Sequence, residues 1–149
     1  MKIRQSVLIS WIGGNDLKAI EGGESGPILS TLRSVNFDSV VLLCSYPADR
    51  AASYIEWLSE QIKVPVQAHF EPLSSPVHFG EIYQAASKHL KRLSSSGIRL
   101  SILLSPGTPA MQAVWILLGK ARYSATFYQS SLEQGVQLVE VPFEIAAEY

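Results

Sequence analysis

The sequence predicts an α/β domain of Rossmann type: a doubly wound, mostly parallel six-stranded sheet in the order 3-2-1-4-5-6, with the last strand antiparallel. Three observations carry this expectation. Nearly continuous apolar runs recur along the chain, as strands buried on both faces require. Amphipathic stretches of helical period stand between them. The chain then closes on two strand-like segments joined by a short glycine-containing loop. A length of 149 residues suits a single domain over 1–149 and is too short for two typical ones.

Taken in order, "SVLISWI" (Ser6 to Ile12) predicts a buried first strand. The Gly-rich "EGGESG" follows as a surface loop, and "GPILSTLRSV" gives the weakest helix. "SVVLLC" (Ser39 to Cys44) is a second buried strand. Pro47 opens a helix whose stripe is Ala51, Ile55, Leu58 and Ile62. "VPVQAHFE" (Val64 to Glu71) alternates, which places it toward an edge, with Pro65 tolerated at its start. The next helix carries Phe79, Ile82, Ala86, Leu90 and Leu93 on one stripe, and Gly97 stands in the usual stop position. "RLSILL" (Arg99 to Leu104) is again central, and Met111, Val114, Trp115 and Leu118 mark the helix after it. "ATFYQSS" and "VQLVEVPF" (Val136 to Phe143), joined by "LEQG", form a closing hairpin. Right-handed crossovers set the first and fourth strands side by side, which creates a switch point where "SWIGGND" and "SPGTP" meet.

Composition narrows the function. A net charge of −1 means that an anionic ligand must be held by local geometry rather than by the field of the whole molecule. It also argues against direct binding of duplex DNA by this domain. The single Cys44 excludes an internal disulfide and a cysteine-built zinc site, which fits a reducing cytoplasm. No apolar stretch reaches membrane-spanning length, so no membrane partner is expected. Neither a GxGxxG pattern nor a Walker lysine occurs, nor HExxH or GxSxG, so no cofactor and no metal are expected.

The switch-point loops carry the candidate site. Ser105 and Thr108 offer hydroxyls, and Gly107 lets a ligand approach the backbone. Thr108 is a good N-cap and Pro109 a good first helical residue, so the orphan N–H groups of that helix should face the crevice and suit a phosphate oxygen. Gly13 and Gly14 offer positive φ. Asn15 can meet a base edge or a ribose hydroxyl, and Asp16 can accept from a hydroxyl or an exocyclic amine. Trp11 either stacks a base or belongs to the core. His78 faces the same crevice from the far side or caps its helix. Ser10, at the mouth of the first strand, is the one candidate catalytic residue: it could position a ribose 2′-hydroxyl for in-line attack on the adjacent phosphate, with Lys18 the nearest cation. His69 and His89 are expected at the surface, as is the face from Lys88 to Arg92, with Tyr54 and Trp57 as packing residues.

With these loops in view, the chain resembles the CARF (CRISPR-associated Rossmann fold) domains. "SPGTPAMQ" matches their signature at the fourth strand through Gly107, Thr108 and Met111. "SWIGGNDLKA", "SSPVHFGEIYQAA", "LSPGTPAMQAVWILLGKARY" and "VPFEIAAEY" look most like the sensor domain of RtcR-type activators that work with sigma-54 RNA polymerase. The resemblance implies a homodimer that binds a cyclic oligoadenylate, or another RNA-end-related nucleotide, across its two-fold axis. It implies control of an effector, such as a C-terminal AAA+ ATPase outside this chain. The ligand contacts it implies are drawn from Ser10, Trp11, Gly13, Gly14, Asn15, Asp16, His78, Ser105, Pro106, Gly107, Thr108, Pro109, Met111 and Gln112. Some CARF domains are ring nucleases that cleave their ligand, often with a basic residue in the fourth-strand loop; here that slot holds Pro109. Sensing is therefore the main expectation and ring cleavage the alternative.

Overall fold

The computed structural model describes residues 4–142. Its strands are β1 (Ser6–Trp11), β2 (Ser39–Cys44), β3 (Val66–Phe70), β4 (Arg99–Leu103), β5 (Thr126–Ser131) and β6 (Gly135–Val139). Its helices are α1 (Gly14–Lys18), α2 (Gly26–Ser34), α3 (Ala48–Gln61), α4 (Phe79–Ser94) and α5 (Pro109–Ala121), with a 3-10 turn at Ala19–Glu21. The sheet runs β3-β2-β1-β4-β5-β6, parallel throughout except for the β5–β6 hairpin. The predicted fold class and strand order are therefore present.

Alternation along β1 divides the core in two. Val7, Ile9 and Trp11 point to the layer of α4 and α5, where they meet Ile82, Leu90, Val114 and Trp115. Leu8 and Ile12 point to the opposite layer, with Ile28 and Leu29 of α2 and Tyr54 and Leu58 of α3. Both faces of the central strands are covered, which is why those runs carry almost no polar residues. Gly119 lets α5 lie close on the sheet, since a Cβ there would fall 2.7 Å from the Phe127 ring.

Several details differ from expectation. β2 has the predicted bounds, β1, β4 and β5 are each one residue shorter, β3 runs Val66–Phe70 instead of Val64 to Glu71, and β6 begins one residue early and ends at Val139. Of "VPFEIAAEY", the seven residues from Phe143 lie outside the described residues. α1 is an added helix: its five residues bury Leu17, too short a segment to show a helical period. Phe79 is half exposed because it opens α4 before the helix face reaches the core. His89 is the main correction. It is 4% exposed, not a surface residue, because it shares the buried side of α4 with Ile82, Ala85, Ala86 and Leu93.

His89 also organises the charges around it. Its Nε2 lies 2.6 Å from Glu71 Oε2, and Arg92 approaches its Nδ1 at 3.0 Å. An Arg can only donate, so Nδ1 accepts and the Nε2–H donates to Glu71. Lys88 pairs with the same carboxylate at 2.7 Å, so the segment from Lys88 to Arg92 clasps the end of β3 instead of simply facing solvent. Burial pushes the Glu71 carboxyl up, but the hydrogen bonds from Lys88 and His89, with the charge of Lys88, outweigh it and hold the group below its ordinary value. Glu71 begins the β3–α4 loop, and the Glu71 N–H donates to Cys44 O at 2.8 Å. Among the described residues, no helix is long and apolar enough to cross a membrane.

Candidate functional site

The cleft opens at the carboxyl ends of β1, β2 and β4, where the strand order reverses. It has a volume of about 470 Å³. Its walls are the loop after β1 (Ile12, Gly13, Gly14, Asn15, Asp16), the loop after β2 (Ser45, Tyr46, Pro47) and the loop after β4 (Ser105, Pro106, Gly107, Thr108). Met111 of α5, Pro27 of α2, and Leu73 and Pro76 of the β3–α4 loop complete it. Among the described residues, no lysine, arginine or histidine lines the wall.

The loops after β1 and β4 meet through glycine. Gly13 has φ −105, and Gly14 opens α1, so neither uses the positive φ expected of it. Gly13 is required by contact instead. A Cβ there would stand 2.8 Å from the Gly107 backbone nitrogen and 3.3 Å from Pro106 Cα. Gly107 does need its freedom: its φ is +94, and a side chain would run into Met111 Sδ. The loops after β1 and β4 are thus pressed together, backbone to backbone.

Hydroxyls fix the second of these loops. Thr108 caps α5 by accepting from the Met111 N–H at 3.3 Å, and its own O–H donates to Pro76 O at 2.7 Å. Ser105 Oγ accepts the Ser130 N–H at 2.6 Å, tying the loop to β5. The side chains therefore hold the loop, while the Gly107 N–H has no partner among the described residues. That N–H and the α5 terminus, which carries roughly half a positive charge, form the electropositive part of the cleft.

Asp16 holds the first loop. The side chain is fully buried, Oδ2 accepting the Gly13 N–H at 2.9 Å and Oδ1 the Ile28 N–H at 2.9 Å. Each carboxylate oxygen thus already accepts a backbone N–H, and Asp16 contributes to the wall as its buried brace rather than as a free acceptor for a ligand. Burial pushes its carboxyl up to about 6, against the two N–H bonds that favour the ionised form. The buried Tyr54 hydroxyl is also driven up, first by its own burial and then by the charge of Asp16.

The remaining candidates separate cleanly. Ser10 is fully buried, and its hydroxyl donates to Trp11 O at 2.8 Å, which points it away from the role of positioning a ribose. Trp11 is fully buried in the α4–α5 layer and cannot stack a ligand base. His78 caps α4 by accepting the Glu81 N–H at 3.1 Å and lies outside the wall; its neighbour Pro76 takes the place expected of it. Pro109 and Gln112 are exposed beyond the wall. Lys18 lines a neighbouring cavity of about 320 Å³, which shares Asn15 and Pro27 with the cleft. Gly13, Gly14, Asn15, Ser105, Pro106, Gly107, Thr108 and Met111 are brought together.

Ser45, Tyr46 and Pro47 went unread as site residues. The predicted strand order held the signal, because it sets the carboxyl end of β2 beside that of β1. Tyr46 supplies the one aromatic ring among the wall residues. No cluster of three metal-ligating side chains occurs among the described residues.

No family model matches the sequence, and no curated protein sequence matches it. Solved structures share its fold. Csm6 from Enterococcus italicus, bound to cyclic hexa-2′-fluoro-hexa-dAMP, superposes with a TM-score of 0.71 at 15% identity, over 89% of this chain and 35% of that one. Can2 from Sulfobacillus thermosulfidooxidans, in complex with cyclic tetra-adenylate, gives 0.67 at 9% identity, over 91% and 35%. A Type III CRISPR defence DNA nuclease activated by cyclic oligoadenylate gives 0.59 at 16% identity, over 93% and 20%. This chain spans about a third or less of the length of these proteins. At such identities the likeness is one of fold.

Proposed function

We propose that this chain is a CARF-type sensor domain that binds a cyclic oligoadenylate, or a related RNA-end nucleotide, in the switch-point cleft of a homodimer and relays binding to an effector. One observation carries the reading: Gly13 and Gly107 dock backbone to backbone, which joins two loops and the α5 terminus into a single cleft. N–H groups and a helix end hold phosphates without a basic surface, in keeping with the net charge of −1. The fold likeness to Csm6 and Can2, both solved with cyclic oligonucleotides, supports the ligand class. The Gly107, Thr108 and Met111 pattern supports the CARF assignment, and the wider sequence resemblance favours the RtcR-type branch, with a sigma-54-linked AAA+ effector. A two-fold dimer would present each loop set twice to a symmetric ring, and half-exposed Leu117 beside Ile116 on α5 offers an apolar surface for it.

Sensing is favoured over ring cleavage. The Ser10 hydroxyl donates to the Trp11 carbonyl, and among the described residues no cationic side chain lines the cleft to stabilise a developing phosphorane charge. Incubation of the purified domain with cyclic tetra- and hexa-adenylate should return intact rings while calorimetry records binding. Linear products with cyclic phosphate ends would make it a ring nuclease instead.

A further inference from the structure

The aromatic partner expected for a ligand base, Trp11, is sealed in the core, yet the cleft has a ring in its wall. Tyr46 follows β2 by two residues and is only partly buried. Its hydroxyl lies 3.6 Å from the point where a side chain on Gly14 would begin, so the ring reaches from the end of β2 across to the start of α1. Arg50, in the first turn of α3, places its guanidinium carbon 5.1 Å from the Tyr46 ring centroid. Arg50 is exposed, and it is a cation in contact with a wall that has none of its own.

We propose that Tyr46 is the stacking platform for a base of the bound nucleotide, with Arg50 seated on the ring as its electrostatic support. The proposal rests on the nucleotide-sensor reading and adds a residue that neither the glycine loops nor the fourth-strand motif supplies. The chemistry follows from the ring. A guanidinium over an aromatic face draws electron density toward itself, which strengthens stacking of an electron-rich purine on the ring. Gly14 sets no side chain of its own against the hydroxyl edge. Stacking tolerates any base but gains with ring area, so a purine is favoured over a pyrimidine. The phosphates then fall to the N–H groups of the β4–α5 loop, and base and phosphate are held by different loops.

Calorimetry with cyclic tetra-adenylate and cyclic hexa-adenylate tests this on wild-type chain and on Tyr46→Phe, Tyr46→Trp, Tyr46→Leu, Tyr46→Ala and Arg50→Ala, with thermal unfolding of each as the folding control. The expected result is binding of at least one ring by wild type, retained within about threefold by Phe and Trp and weakened about 10- to 100-fold by both Leu and Ala. Arg50→Ala should lose less, about three- to tenfold, with a flatter salt dependence. Leu keeps the bulk and the apolar packing, so a merely structural role for Tyr46 would leave the Leu variant near wild type. That result, with wild type still binding, would overturn the stacking role and leave the sensor reading standing. Failure of the folded wild type to bind either ring would overturn the stacking role and the cyclic-oligoadenylate form of the sensor reading together.

Discussion

The loops after β1 and β4 are packed so closely that a Cβ on Gly13 would not fit between them, and they are held by opposite means. The first hangs on one buried charge, Asp16, whose two oxygens take the N–H groups of Gly13 and of Ile28, twelve residues away. The second hangs on two neutral hydroxyls, Ser105 and Thr108, which reach outward to β5 and to the β3–α4 loop. In both cases the polar side chains are builders. What they leave facing the cleft is backbone, together with Asn15 and Tyr46. The difference teaches where damage should fall: chiefly on folding for the first loop, and on binding with a smaller cost in folding for the second.

The largest effect tests the first half of that contrast. Asp16→Ala leaves two buried N–H groups without acceptors and should lower stability by about 2–4 kcal/mol, read by denaturant unfolding at neutral pH. A loss below about 0.5 kcal/mol would mean that the carboxylate does not hold the loop. Its pH dependence comes next. The folded-state value of about 6 lies above the ordinary 3.8, so the folded chain binds this proton more tightly than the unfolded chain does. This contribution is fully present below about pH 4 and is lost as pH rises through about 6, with a span of roughly 3 kcal/mol. Glu71 acts in the opposite sense, since its lowered value adds stability above about 4.5 that is lost as pH falls. Asp16→Asn should flatten the slope between pH 4 and 6; an unchanged slope would assign it to other groups.

Smaller effects sharpen the second half. Gly107→Ala forces a Cβ onto a positive φ and against Met111, for about 1–2 kcal/mol in unfolding experiments. Thr108→Ala removes the α5 cap and the tether to Pro76, for about 1–2 kcal/mol, and Thr108→Ser should restore most of it. If Ser failed to rescue, the methyl group rather than the hydroxyl would be what the site requires.

Much of this was legible in the sequence, and the misses have a common cause. Apolar periodicity and the crossover rule were enough for the sheet order, and "SPGTP" announced its cap, whereas the left-handed φ of Gly107 emerges only in the fold. Asp16 misled because exposure is a tertiary property: nothing near it in sequence reveals the Ile28 N–H. His89 was hidden by Lys88, Lys91 and Arg92, although its spacing from Ile82, Ala86 and Leu93 places it on the apolar stripe. Tyr46 lies in a loop without a motif, and only the neighbourhood of β2 and β1 gives it meaning. Gly13 was expected for its φ and is needed for its missing Cβ.

The central claim is that the joined loops bind a cyclic oligonucleotide through backbone donors, and calorimetry of wild type beside Gly107→Glu tests it most directly. The account predicts saturable binding of cyclic tetra- or hexa-adenylate at one ring per two chains, weakened more than about 100-fold by a carboxylate set among the phosphates. Equal affinity in the two proteins, with the variant folded, would contradict it.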